Sequence, residues 1–104
     1  MVPGSKISII IADDHPLVRE GIRKILELEP GIQVVAEAGD GLEAIELARR
    51  HHPDVILIDI NMPVLNGIEA TKVIRRELPR TGILALTIHN DEEYIIELLR
   101  VGVS

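Results

Sequence analysis

Residues 7–14 read Ile7-Ser8-Ile9-Ile10-Ile11-Ala12-Asp13-Asp14: an apolar, largely β-branched run that stops at two adjacent carboxylates. A run of this kind, bounded by turn residues, reads as a strand buried on both faces of a parallel sheet. A second run, Val55-Ile56-Leu57-Ile58, stops in the same way at Asp59. The carboxyl ends of strands are where open α/β sheets bind ligands. Three carboxylates gathered at that end repel one another, and a divalent cation removes the penalty.

Outward from these two runs, strand and helix signals alternate with short punctuation, the pattern of repeated βα units. Strands are expected near Lys6 to Ala12, Gln33 to Glu37, Asp54 to Ile58 and Gly82 to Ile88. In the first helix Leu17, Val18, Gly21, Ile22, Ile25, Leu26 and Leu28 recur at helical spacing, opposite a polar face of Arg19, Glu20, Arg23, Lys24 and Glu27. Pro30-Gly31 stops it. The second helix takes Asp40 as its N-cap, turns Leu42, Ile45 and Ala48 inward and ends in Arg49-Arg50-His51-His52 before Pro53. The third runs from about Asn66 to Glu77, with Ile68, Thr71 and Ile74 on one side. A fourth begins after Asn90-Asp91 and includes Tyr94, Ile95, Leu98 and Leu99.

The chain has 104 residues, enough for one domain with a real core. A formal charge of -6 argues against this segment gripping nucleic acid or an anionic membrane, since both need clustered Lys and Arg. With no cysteine, thiol redox chemistry and thiolate metal sites are excluded, so a metal must be held by oxygen or imidazole. No apolar stretch is long enough to span a bilayer, and a cytoplasmic protein is expected. Residues 1–5 read as a tag remnant or leader. The apolar segment Ile83-Leu84-Ala85-Leu86-Thr87-Ile88 would form an uncovered sheet edge, a pairing hazard. A further strand and helix are therefore expected beyond Ser104.

An oxygen-rich, open site keeps waters on a bound Mg²⁺ and accepts a phosphate as a further ligand. Asp59 is the best nucleophile, since it ends a central strand before a Pro-containing loop; attack on phosphorus would give an aspartyl phosphate. Asp13 and Asp14 would hold the cation, and the Thr87 hydroxyl would bond a phosphoryl oxygen. Taken singly, these residues have plainer readings: Asp14 as a helix cap, Asp59 as a solvated strand end, Thr87 as a strand residue and His51-His52 as a polar helix end. Their coincidence at one end of one sheet decides for a site.

The motifs Asp13-Asp14-His15-Pro16 with Arg19-Glu20-Gly21, Asp59-Ile60-Asn61-Met62-Pro63 with Gly67, and Leu86-Thr87-Ile88-His89 resemble the receiver domain of a two-component response regulator. The resemblance implies a flavodoxin-like (CheY-like) doubly wound parallel sheet of strand order 2-1-3-4, its fifth strand and helix absent from this chain, with residues 6–104 as an incomplete receiver domain. It makes Asp59 the phosphoacceptor, Asp14 a direct metal ligand, Asp13 a partner acting through water and Asn61 a ligand through its backbone carbonyl. Thr87 becomes the switch hydroxyl, and Asn61 and His89 tune phosphoryl lifetime. The opening motif further resembles the subfamily with a LuxR-type helix-turn-helix output domain. The family's lysine at the end of the fifth strand has no counterpart among Lys6, Lys24 and Lys72, which truncation explains.

The function so implied is a phosphorylation-controlled switch rather than a turnover enzyme, with a sensor histidine kinase as donor, Mg²⁺ as cofactor, DNA bound through a separate output domain and a homodimer on activation. The alternative is a phosphorylation-independent dimerisation or docking module. A metal-dependent phosphohydrolase would need a carboxylate two residues after the nucleophile, where Asn61 stands.

Overall fold

The structure, a computed structural model, describes residues 6–59, 62 and 64–86. In chain order they form β1 (Ile7–Ala12), α1 (Pro16–Glu27), β2 (Ile32–Ala38), α2 (Gly41–His51), β3 (Val55–Asp59), α3 (Gly67–Glu77) and β4 (Gly82–Leu86). All paired strands are parallel, in the order β2-β1-β3-β4. This is the expected order. The expectations for Thr87, Ile88, the fourth helix and residues 1–5 lie outside the described residues.

The unbroken apolar character of the strands has its explanation in two cores, one on each face of the sheet. Side chains alternate along a strand, so Ile10, Ala12, Ile56 and Ile58 face one way, into a core with Ala44, Ile45 and Ala48 of α2 and Ala70 and Ile74 of α3. Ile9, Ile11, Val55 and Leu57 face the other, with Ile22 and Leu26 of α1. Full burial of one such Ile or Leu contributes roughly 1.5–3 kcal/mol. Strands with two buried faces collect that contribution at every position, so β1 and β3 sit in the middle.

Local signals start and stop the helices. The Asp40 carboxylate accepts from Glu43 N–H at 2.8 Å and Asn66 Oδ1 from Glu69 N–H at 2.9 Å, capping α2 and α3. Pro16 opens α1, where a missing N–H costs nothing. His52 closes α2 in the left-handed conformation (φ 46°). One residue is set by a close approach: a Cβ on Gly41 would collide with the backbone carbonyl of Leu65, so the start of α2 can abut the β3–α3 loop only as glycine.

The inward faces of the helices differ from expectation in one respect. Leu17 and Val18 in α1, Leu42 in α2 and Ile68 in α3 are exposed, as is Leu28 just past α1. Ala44, Ala70 and Gly67 occupy the contact positions instead. Small residues let α2 and α3 lie close on the sheet, and the larger residues beside them are turned out. Thr71 is half-buried, while Ile45, Ala48 and Ile74 are buried as expected.

The connections also locate the functional end. From β1 the chain moves outward to β2, then returns past β1 to β3 on its other side. The reversal leaves a crevice at the carboxyl ends of β1 and β3, the switch point at which doubly wound sheets bind ligands.

Candidate functional site

Asp13 follows the last residue of β1, and Asp59 is the last residue of β3. Ala12 pairs with Ile58 in the β1–β3 ladder, so the two carboxylates stand at the next positions of neighbouring strands. One ligand atom each from Asp13, Asp14, His15 and Asp59 lie within 4.8 Å of one another. Three of the expected site residues thus converge. Asn61, Thr87 and His89 lie outside the described residues.

The turn after β1 holds the cluster. Asp13 is buried at 5% exposure, and its N–H donates to Ala38 O of β2 at 3.0 Å. Its Oδ1 accepts from His15 N–H at 2.7 Å, a local turn that starts α1. The helix cap is His15, without a side-chain cap bond. Asp14 is therefore not the cap, and the plain reading of that residue fails.

His15 is the member that sequence reasoning missed, although it stands inside the quoted motif. Its Nδ1 lies 3.1 Å from Asp13 Oδ1 and 3.0 Å from Asp14 Oδ1. The hydrogen bond to Asp13 first, then the charge of Asp14, and lastly those of Asp13 and Asp59, hold the imidazole above its ordinary pKa of 6.5. A ring N–H points in one direction, and here it points at Asp13. Asp14 Oδ1 gains proximity to the ring but no aligned hydrogen bond, and it is buried without a hydrogen-bond partner among the described residues.

That orphaned oxygen bears on what the site can hold. Leaving a buried acceptor unsatisfied costs about 1–3 kcal/mol, more when it is charged. A hard divalent cation satisfies it, and carboxylate oxygens are the donors such a cation prefers. The acidic residues fit a Mg²⁺ ion by donor type, by spacing and by this unmet oxygen.

Arg19 is expected on the polar face of α1, with no partner named for it. Its Nη1 donates to Asp13 O at 2.7 Å and its Nε to Glu37 Oε1 at 3.0 Å. Helical periodicity does not separate it from Arg23 or Lys24 on the same helix, and only the Arg19-Glu20-Gly21 motif marks it. A shallow cavity of about 430 Å³ lined by His52, Pro53, Asp54 and residues 77–81 lies at the amino ends of β3 and β4. It is at the opposite pole from the carboxylates and takes no part in the site.

Comparison with known proteins agrees with this geometry. A family model described as the response regulator receiver domain matches residues 9–104. The transcriptional regulatory protein DegU of Brevibacillus brevis is 49% identical over 100 residues, which are 96% of this chain and 42% of that protein. The nitrate/nitrite response regulator protein NarP of Escherichia coli is 42% identical over 102 residues, 98% of this chain and 47% of NarP. The chain spans under half the length of both relatives. Among solved structures, a LuxR-family two-component response regulator from Aurantimonas sp. SI85-9A1 matches with a TM-score of 0.77 and 41% identity, covering 96% of this chain and 71% of that one. With its β2-β1-β3-β4 sheet and its acidic switch-point crevice, the chain belongs to the response regulator receiver domain family, in the form carried by LuxR-family regulators.

Proposed function

We propose that this receiver domain accepts a phosphoryl group on Asp59 and so controls a DNA-binding output. The observation that carries the reading is the convergence of Asp13, Asp14 and Asp59 within 4.8 Å at the carboxyl ends of two central strands. A solvated scatter of acids would use both ends of the sheet.

Asp13, Asp14 and Asp59 would hold Mg²⁺, joined by the backbone carbonyl of Asn61 on the strength of the family resemblance. When bound, the ion neutralises charge on the transferring phosphoryl group. The chain's own residues do the rest. Asp59, the last residue of β3, would supply the attacking carboxylate oxygen. That oxygen attacks phosphorus in line as the donor's N–P bond breaks, and the electron pair leaves with the donor imidazole nitrogen, which takes up a proton from solvent. Asp13, at 5% exposure, is held in place by its bonds to Ala38 O and His15 N–H and makes one side of the cluster rigid. Thr87 would bond the new phosphoryl oxygen and serve as the switch, with Asn61 and His89 tuning its lifetime. The domain promotes its own phosphorylation and dephosphorylation without turning over a substrate.

The donor is a sensor histidine kinase. Output is through a DNA-binding module outside residues 6–104, with a homodimer on activation and no membrane contact, in the cytoplasm where transcription regulators act. Incubation with Mg²⁺ and a small phosphodonor such as acetyl phosphate tests the reading by intact mass. The expected result is a gain of one phosphoryl group that Asp59→Asn abolishes. No gain, or a gain that survives Asp59→Asn, refutes it.

A further inference from the structure

The Asp13–Asp14 peptide links two members of the acidic cluster, and it is gripped from both ends of the residue that precedes it. Asp13 N–H is tied to Ala38 O at 3.0 Å. Asp13 O accepts from Arg19 Nη1 at 2.7 Å. Both anchors trace to one place: Ala38 and its neighbour Glu37, which holds Arg19, are the last two residues of β2. Because a trans peptide is planar, with C=O and N–H opposed, fixing the Asp13 carbonyl fixes the plane from which the Asp14 side chain springs.

The guanidinium itself is immobilised. Glu37 uses Oε1 for Arg19 and Oε2 for Arg23, at 3.0 and 2.8 Å, so its carboxylate cannot swing without breaking one of them. Side-chain exposures of 23% for Arg19 and 25% for Glu37 mark a half-buried pair rather than a solvent-borne one. A planar fork can serve a carboxylate through Nε and a carbonyl through Nη1 together, and an ammonium cannot reproduce that geometry.

We infer that Arg19 is a positioning residue for the metal site, orienting the Asp13–Asp14 peptide through the Asp13 carbonyl with Glu37 as its brace. The inference rests on the Mg²⁺ reading above. Partners outside a metal's immediate ligands typically govern affinity by 10- to 100-fold. Arg19→Met keeps the apolar stem and removes every donor. It should weaken Mg²⁺ binding by roughly that factor.

Calorimetric titration of the full chain with MgCl₂ tests this, alongside thermal unfolding in a chelator. Arg49→Met is the control, since it removes a two-bond Arg–Glu clamp between α2 and α3 without touching the acidic turn. The inference predicts a loss of affinity for Arg19→Met, a smaller loss for Glu37→Gln and partial recovery for Arg19→Lys, with Arg49→Met binding as the parent does. Parental affinity in both Arg19→Met and Glu37→Gln overturns it, and so does an equal loss in Arg49→Met, which would make the effect one of general stability. If Arg19→Met fails to fold, Glu37→Gln decides alone by the same criterion. A parent chain that binds no Mg²⁺ overturns the metal reading and this inference with it.

Discussion

Removing one carboxylate from the acidic cluster should make the metal-free protein more stable, and Asp14→Asn is the cleanest way to do it. The substitution is isosteric, and it turns a buried charged oxygen without a hydrogen-bond partner among the described residues into a neutral one. At the outer separation of 4.8 Å, a pair of unit charges repels by about 3.5 kcal/mol at an effective dielectric constant near 20, and by about 0.9 kcal/mol in bulk water. Side-chain exposures of 7% for Asp13 and 28% for Asp14 put the site between those limits. The attraction of Asp14 to His15 is lost as well, so the comparison belongs at a pH high enough to leave the imidazole neutral. The expected gain is about 1–3 kcal/mol, or roughly 4 °C or more in Tm for a domain of this size. Thermal unfolding in a chelator at low salt reads it directly. Two further signs identify the cause. The advantage should shrink in ~1 M salt, where the screening length is only about 3 Å. Mg²⁺ should reverse the order, since an ion at about 1,000 times its Kd stabilises the parent by about 4.1 kcal/mol and the variant by little. An Asp14→Asn protein that is no more stable than the parent without metal would refute the electrostatic argument.

Gly41→Ala should cost about 1–3 kcal/mol in urea unfolding, because the new methyl group meets the Leu65 carbonyl, which cannot move aside as a flexible side chain would. Val64 is a β-branched residue held at φ 69° and 74% exposed; Val64→Asn should stabilise by about 1 kcal/mol, relieving left-handed strain with no packing to lose. The Arg49 guanidinium, hydrogen-bonded to Glu77 at 2.6 and 2.7 Å, holds that carboxyl below its ordinary 4.5. A depressed folded-state pKa contributes stability that is present above 4.5 and lost as pH falls through the folded value. Urea midpoints measured down that range should fall less steeply for Glu77→Gln than for the parent, and parallel profiles would dismiss the pair as a source of acid sensitivity.

The sheet was legible because its evidence is local and redundant. β1 and β3 are apolar at almost every position, which only a strand covered on both sides can use, and Asp40 and Asn66 are cap residues standing where their helices begin. Asp13, Asp14 and Asp59 followed from strand ends alone. The turn after β1 was not legible. Whether Arg19 faces solvent or Asp13 O depends on where Glu37 lies, 18 residues away and on another element. Likewise His15 meets Asp13 and Asp14 only because the backbone bends back at the start of α1, and periodicity carries no information about such a bend.

Three of the misplaced apolar residues share a position. Leu17, Leu42 and Ile68 are each the second residue of their helix, after Pro16, Gly41 and Gly67, and they are 83%, 51% and 52% exposed. Each helix follows a strand, so its first turn lies at the carboxyl end of the sheet, beside the carboxylates. Helical spacing places these residues close to the inward stripe, yet the face that meets the sheet is taken by Ala44, Ala70 and Gly67, whose small size sets the contact. For these three, local pattern and tertiary fold disagree at the pole that carries the acidic cluster; Leu28 is exposed at the other end of α1, and the middles of the helices, at Ile22, Leu26, Ile45 and Ile74, obey the pattern. Sequences are expected to break their own rules where function competes with packing. Here the break falls in the first turns of three helices, at the end of the sheet where Asp13, Asp14 and Asp59 converge.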